Sequence, residues 1–203
     1  MSPAAEISHV PPISCGEAAN IRETFTPFAS VAIELPLHWP RAQRAEGAGE
    51  MARGPEQGQK APSFELDSTH GRISLTSRLA QSSVLLVFYP ADDSPVCTRQ
   101  LCDYRDHLQE FGELGVDVLA INPASLESHR AFALKHGLPF PLLADPARDV
   151  CRAYGAVGLL GMTRRSLFLI GRSARVAYRK SDLPIFHRTA EELRKVIAST
   201  DLS

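Results

Sequence analysis

An unbroken apolar run at residues 84–89 is the feature of this chain that most restricts its fold. A short run rich in valine and leucine is typical of a central strand that is covered on both faces. The run ends at Pro90, and apolar side chains then recur at helical spacing over residues 96–112. Ser94 suits the N-cap of this helix, and Pro95 suits its first position. The sequence therefore predicts a buried strand that leads almost directly into a helix.

The rest of the chain downstream of residue 58 alternates between strand-like and helix-like segments. Strands are predicted at residues 64–66, 73–75, 116–121, 142–144, 166–170 and 176–179, and helices at residues 125–136 and 148–154. Thr189 and Glu192 form a capping-box pattern at the start of a last helix. Strands alternating with helices predict an α/β fold, in which a sheet is covered by helices on both faces.

The first part of the chain differs in composition from the remainder. Six prolines fall between Pro3 and Pro40, and a stretch rich in Ala, Gly, Arg and Glu follows up to Gly58. We therefore predict that residues 1–57 are an irregular or loosely docked extension ending in a linker, and that residues 58–203 form the folded domain. Met51 would also make a sensible start for the domain.

Composition excludes several classes of partner and location. The 203 residues carry a formal net charge of −1 without a basic stretch, so neither nucleic acid nor an anionic membrane surface is an expected partner. No apolar run approaches the ~20 residues of a membrane span, and the N-terminus lacks a secretory pattern. Four cysteines in a chain of this length do not form a disulfide scaffold, which favours a reducing, cytoplasmic location.

Cys97 falls in the first turn of the predicted helix after residue 96. Unpaired N–H groups and the helix dipole favour a negative charge there, so the position favours a thiolate, which is a nucleophile. The alternative is that Ser94 and Pro95 simply start a helix and that Cys97 is a small buried side chain.

The surrounding residues match a known pattern. The segment Pro90-x-x-x-Ser94-x-x-Cys97 resembles the active-site signature of the peroxiredoxins. The wider sequence is similar to the branch called peroxiredoxin Q or bacterioferritin comigratory protein. The matching blocks lie in collinear order at residues 58–64, 88–106, 115–121, 128–129, 136–146, 153–155 and 165–170.

This resemblance implies a thioredoxin-like fold with a central mixed β-sheet and a peroxidatic cysteine at Cys97. Its thiolate would attack a peroxide oxygen and become a sulfenic acid. The hydroxyl of Ser94 and the N–H groups of Val96 and Cys97 would bind the peroxide, and Arg165 would supply positive charge. Pro90 would shape the pocket and exclude water.

Three details bear on this assignment. Arg165 stands three residues before Phe168, as the family arginine does, but the adjacent Arg164 leaves the register open. The residue before the cysteine is usually Gly in this branch and is Val96 here. The position three after the cysteine is usually Glu and is Gln100 here, which keeps hydrogen bonding but loses the charge.

The resemblance also implies that Cys102 resolves the sulfenic acid by forming an intramolecular disulfide with Cys97, which thioredoxin then reduces. Five residues along a helix separate two Cα atoms by roughly 8–9 Å, whereas a disulfide needs less than about 7 Å. The first turns of the helix must therefore unwind in each cycle. We expect a monomer or a weak dimer that needs no cofactor and no metal.

Other functions fit parts of the sequence. A dithiol oxidoreductase of thioredoxin type would usually carry Cys-x-x-Cys, which this chain lacks. The spacing Cys97-x4-Cys102-x4-His107 is tolerable for a metal, but a fourth ligand is not evident. A one-cysteine peroxidase that uses an external thiol, or a non-catalytic binding protein on the same frame, also stays open. Cys151 is expected to be a buried structural residue, and Cys15 has no evident role.

Overall fold

The computed structural model describes residues 53–158, 161–182 and 187–202. The strands in these ranges are β1 (Glu65–Ser68), β2 (Gly71–Ser74), β3 (Ser83–Phe88), β4 (Val116–Asn122), β5 (Leu142–Ala144), β6 (Ser166–Ile170) and β7 (Val176–Ser181). The helices are α1 (Leu75–Leu79), α2 (Pro95–Asp106), α3 (Leu108–Glu113), α4 (Leu126–His136), α5 (Asp149–Ala153) and α6 (Ala190–Ser199).

The strands form one mixed sheet in the order β2-β1-β5-β4-β3-β6-β7. The pairs β3–β4 and β4–β5 are parallel, whereas β6 runs antiparallel to β3. Strand β3, which is the apolar run of the sequence, lies near the centre and is buried along its whole length. In the β3–β6 register Phe88 faces Ser166, so the end of β3 lies beside the start of β6.

Helices cover both faces of the sheet, because alternate side chains of β3 enter two different cores. Leu85 and Val87 pack in one cluster with side chains of α2, α3, α4 and α6. Val84 and Leu86 pack in the other with side chains of α1 and α5. The predicted α/β class is thereby confirmed.

The single helix predicted over residues 96–112 is wrong, because the structure has two helices that meet at His107. The backbone of this residue leaves the helical region, with φ −112° and ψ 15°. Its ring nitrogen Nδ1 lies 2.9 Å from the carbonyl oxygen of Asp103, and its own N–H reaches the same oxygen at 3.3 Å. We attribute the break to this competition of side chain and backbone for one acceptor.

The short helix α1 was also not predicted. The sequence placed Leu75 at the end of a strand, but its N–H donates to the carbonyl of Phe64 as the first turn of α1 begins. Five residues give too few turns for a helical pattern to be recognised.

Residues 53–57 are held against the domain, although the sequence placed them in the linker. The guanidinium of Arg179 donates to Glu56 Oε1 at 2.6 Å and to the carbonyl oxygen of Arg53 at 2.5 Å. Gly54 packs so closely that a Cβ atom there would clash with the carbonyl oxygen of Tyr154. The predictions on residues 1–52 lie outside the described residues.

These contacts predict a difference between two truncated chains. A chain that begins at Met51 keeps residues 53–57, so we expect it to fold and to retain most of its peroxidase activity. A chain that begins at Gly58 loses the contacts of Arg179 and Tyr154, and its melting temperature should fall by a few degrees, since ~1 kcal/mol shifts Tm by roughly 2–4 °C in a domain of this size. Thermal unfolding of both chains beside the full chain measures this, and equal Tm values for the two truncations would contradict it.

Candidate active site

The candidate site lies where β3 passes into α2. The loop of residues 89–94 connects them, and Ser94 is the N-cap of α2 with an extended backbone. The hydroxyl of Ser94 makes no capping hydrogen bond to the helix. Because Pro95 occupies the first helical position, the N–H groups of Val96 and Cys97 belong to the first turn, where α-helices leave their donors without an intrahelical partner. A cluster of donors is therefore available beside the Cys97 thiol.

Cys97 is fully buried and carries a free thiol. The guanidinium of Arg165 donates from Nη2 to Cys97 Sγ at 3.2 Å, although the two residues are 68 apart in sequence. Arg165 is itself buried, whereas Arg164 is exposed. The structure thus brings Arg165, and not Arg164, to the sulfur, since Arg165 directly precedes β6, which pairs with β3.

A chain of hydrogen bonds leads away from Arg165. Its Nη1 donates to Gln100 Oε1, the Gln100 Nε2 donates to the hydroxyl of Tyr104 at 2.9 Å, and that hydroxyl donates to the carbonyl oxygen of Arg188 at 2.8 Å. A guanidinium only donates, so the amide of Gln100 must turn its oxygen toward Arg165. Gln100 therefore orients the guanidinium without neutralising its positive charge.

Tyr104 is the member of this network that sequence reasoning missed as a functional residue. Its side chain is fully buried, and this burial raises the pKa of the Tyr104 hydroxyl well above its usual range, so it acts as a neutral donor. The available signal was its position four residues after Gln100 on the same helix face.

Cys102 lies on the same helix as Cys97 and is 3% exposed. Helix α2 runs without interruption through both residues, so their two sulfur atoms are not placed for a bond to each other. Cys102 is engaged in a disulfide bond, whereas the thiols of Cys97 and Cys151 are both free.

Cys151 lies in α5, far from this junction in sequence and in the core on the opposite face of the sheet. Burial, followed by the nearby charge of Asp145, raises the pKa of the Cys151 thiol well above its usual range. Its own N–H is bound to Asp145 Oδ2 at 2.8 Å. These contacts favour a structural role.

Within the ranges that the structure describes, no group of three His, Cys, Asp or Glu side chains is arranged to hold a metal ion. The Nδ1 of His107, one of the ligands considered for a metal, instead lies at the Asp103 carbonyl. None of the helices in the described part of the chain combines the length and the apolar character needed to cross a bilayer.

Comparison with known proteins identifies what this arrangement resembles. The AhpC/TSA family profile matches residues 57–179. The chain is 35% identical over 147 residues to peroxiredoxin Bcp of Bacillus subtilis, covering 68% of this chain and 93% of that protein. It is 33% identical over 144 residues to the chloroplastic peroxiredoxin Q of Populus jackii, covering 71% of this chain and 65% of that protein.

Solved structures agree with the sequence comparisons. The crystal structure of peroxidoxin BcpB from Mycobacterium tuberculosis superimposes with a TM-score of 0.62 at 28% identity, over 71% of this chain and 95% of that one. A peroxiredoxin Q structure from Xanthomonas campestris gives a TM-score of 0.59 at 27% identity, over 67% and 88% of the two chains. The mixed sheet with its helices is therefore a thioredoxin-like fold, as expected.

Proposed function

Because this chain belongs to the AhpC/TSA family, we propose that Cys97 is the peroxide-reacting cysteine of a thiol peroxidase. The observation that carries this assignment is the donation from Arg165 to Cys97 Sγ at 3.2 Å in the first turn of α2. The buried guanidinium supplies positive charge beside the sulfur at which the reaction would take place. The substrate is a peroxide, and a thiol compound returns the enzyme to its reduced form.

In the first step the thiolate of Cys97 attacks one peroxide oxygen. An S–O bond forms and the O–O bond breaks, so Cys97 becomes a sulfenic acid while the other oxygen takes a proton and leaves as water or an alcohol. Negative charge develops on the leaving oxygen. In this proposal Arg165, the hydroxyl of Ser94 and the N–H groups of Val96 and Cys97 donate to the peroxide oxygens during this step, and Pro90 shapes the pocket and excludes water.

In the second step the thiolate of Cys102 attacks the sulfur of the Cys97 sulfenic acid. An S–S bond forms, the S–O bond of the sulfenic acid breaks, and the departing hydroxide takes a proton and leaves as water. Because both cysteines lie on intact α2, its first turns must unwind before the bond can close. Cys102 must also be released from its present disulfide before it can act. Thioredoxin, whose dithiol reduces disulfides by exchange, is the proposed electron donor to an enzyme that is a monomer or a weak dimer.

Peptide mapping tests both steps. After prior reduction, one equivalent of hydrogen peroxide should give an intramolecular Cys97–Cys102 disulfide in the wild type, with a loss of helical circular dichroism. In Cys102→Ser, where the resolving thiol is absent, dimedone should instead trap a sulfenic acid on Cys97. Cys151 should stay unmodified in both proteins, because its thiol is buried and its pKa is raised by that burial.

The outcomes separate the alternatives. A Cys97–Cys151 bond or an intermolecular bond would contradict the role of Cys102. A sulfenic acid that persists on Cys97 in the reduced wild type would indicate a one-cysteine peroxidase that depends on an external thiol. Efficient reduction of insulin disulfides without peroxide turnover would indicate a dithiol oxidoreductase.

The cytoplasmic location expected from the sequence stays a prediction. The relatives include chloroplastic peroxiredoxins Q as well as the Bcp protein of Bacillus subtilis. Fractionation of the source cells with an antibody to the chain decides it.

A further inference from the structure

A buried carboxylate stands in the loop that leads to Cys97. The side chain of Asp92 is 6% exposed and accepts hydrogen bonds from four other side chains. The donors are Tyr89 Oη at 2.8 Å, Asn122 Nδ2 at 2.8 Å, Ser128 Oγ at 2.5 Å and His129 Nδ1 at 3.0 Å. One carboxylate thus ties the loop to β4 and to α4.

His129 faces an acceptor at each ring nitrogen. Nδ1 lies at the carboxylate of Asp92, and Nε2 lies 3.2 Å from the carbonyl oxygen of Leu143. A neutral imidazole carries only one N–H, so both hydrogen bonds are made only when His129 is an imidazolium. The ring is fully buried, and a buried charge needs a partner of opposite sign, which Asp92 supplies.

The other groups around Asp92 keep its carboxylate ionised. Burial by itself would raise the pKa of Asp92, but the hydrogen bonds from His129 and Ser128 and the charge of His129 outweigh it, so the pKa lies below its usual value. Tyr89 is buried, and burial together with the charges of Asp92 and Cys97 raises the pKa of its hydroxyl, which therefore stays a neutral donor.

The geometry of the loop needs such an anchor. Asp93, the next residue, has φ 56°, a left-handed conformation that is strained for a residue with a side chain. The ring of Tyr89 packs in the same core cluster as Cys97. The conformation of the loop that carries Pro90 and Ser94 is thus held by contacts with β4 and α4 and not by the preference of the loop itself.

We propose that Asp92 is a positioning residue of the peroxide site, whose carboxylate, paired with the imidazolium of His129, fixes residues 89–94 in the shape that aligns peroxide with Cys97. The proposal rests on Cys97 being the peroxide-reacting cysteine. Asp92 does not touch the sulfur, and it acts through the loop that carries Pro90 and Ser94.

Asp92→Asn tests the proposal, because it keeps the shape of the side chain and removes the charge. Misplacement of the loop should slow oxidation of Cys97 by peroxide about tenfold or more. Alkylation of Cys97 by iodoacetamide, which needs a thiolate but no aligned peroxide, should not slow. Asp93→Asn is the matched control: this neighbouring carboxylate is 55% exposed and pairs with Lys135, so its loss should change both rates by no more than about twofold.

The charge state of His129 is measured separately by the ¹⁵N signals of its ring, assigned with His129→Gln. Two protonated nitrogens are expected in the wild type, and one in Asp92→Asn. This readout does not depend on Cys97, so loss of the proposed function would leave it unchanged. Conversely, retained peroxide turnover in Cys97→Ser would overturn the function and not the ion pair.

Three results would overturn the positioning role. The first is a wild-type His129 ring with only one protonated nitrogen. The second is oxidation of Cys97 by peroxide in Asp92→Asn at a rate within about twofold of wild type. The third is an equal fall of peroxide oxidation and alkylation in Asp92→Asn, which would indicate only a structural role. If Asp92→Asn does not fold, Ser128→Ala replaces it, since this change removes one donor to the carboxylate. Peroxide oxidation of Cys97 should then slow by a smaller factor while alkylation does not slow. Equal effects on the two reactions in Ser128→Ala would also overturn the proposal.

Discussion

Replacing Cys97 with serine should abolish peroxide turnover while the protein keeps its fold. The hydroxyl of serine is close in size to the thiol and can still accept from Arg165, so the buried site stays filled. An alcohol does not ionise near neutral pH, and the nucleophile is therefore lost. Turnover coupled to thioredoxin measures the loss, and far-UV circular dichroism measures the fold.

Cys151→Ala is the control for this result. The Cys151 thiol lies in the core on the other face of the sheet, and its burial raises its pKa, so it contributes no thiolate near neutral pH. Its removal should leave most of the turnover. Activity of Cys97→Ser within about tenfold of wild type would remove Cys97 from the mechanism, since a positioned nucleophile contributes far more than that.

Replacing Arg165 with alanine should slow the oxidation of Cys97 by about 10²-fold, the usual cost of losing one donor at a developing oxyanion. The same change removes the guanidinium that donates to Sγ, so alkylation by iodoacetamide at neutral pH should also slow. Single-turnover peroxide consumption with enzyme in excess measures the first effect. Arg165→Lys should be intermediate, because an ammonium retains the charge but does not reproduce the fork that reaches both Cys97 and Gln100.

Arg164→Ala is the matched control for Arg165, since it removes the neighbouring guanidinium from an exposed position. Both rates should stay close to those of the wild type. If Arg164→Ala caused the large loss and Arg165→Ala did not, the arginine that serves the thiol would be misassigned.

The strand–helix junction could be predicted from the sequence because its signals are local. The apolar run that became β3, the Ser94–Pro95 helix start and the capping box of Thr189 and Glu192 each lie within a few residues of the structure they specify. The short helix α1 could not be predicted, because its five residues are too few to show a helical period. The break at His107 could not be predicted either, because it depends on a side chain that binds a backbone acceptor.

The contents of the site depend on contacts between residues distant in sequence. Arg165 reaches Cys97 because β6 pairs antiparallel with β3 in a register that sets Ser166 opposite Phe88. That register is a property of the assembled sheet, and only the family resemblance had pointed to Arg165 over Arg164.

Some of the polar contacts around the site join residues close in sequence, and others join residues that are distant in sequence. Gln100 and Tyr104 share one helix face, so local sequence already placed them together. The contact between Asp92 and His129 joins a loop to α4 across 37 residues, and the other ring nitrogen of His129 meets a carbonyl oxygen on β5. The sequence by itself determined most of the strands and helices and the place of Cys97 in the first turn of a helix, because helix and strand signals act over a few residues. Tertiary structure brought Arg165 to Cys97 and Asp92 to His129, because these groups meet only when the sheet is paired and its helices are packed.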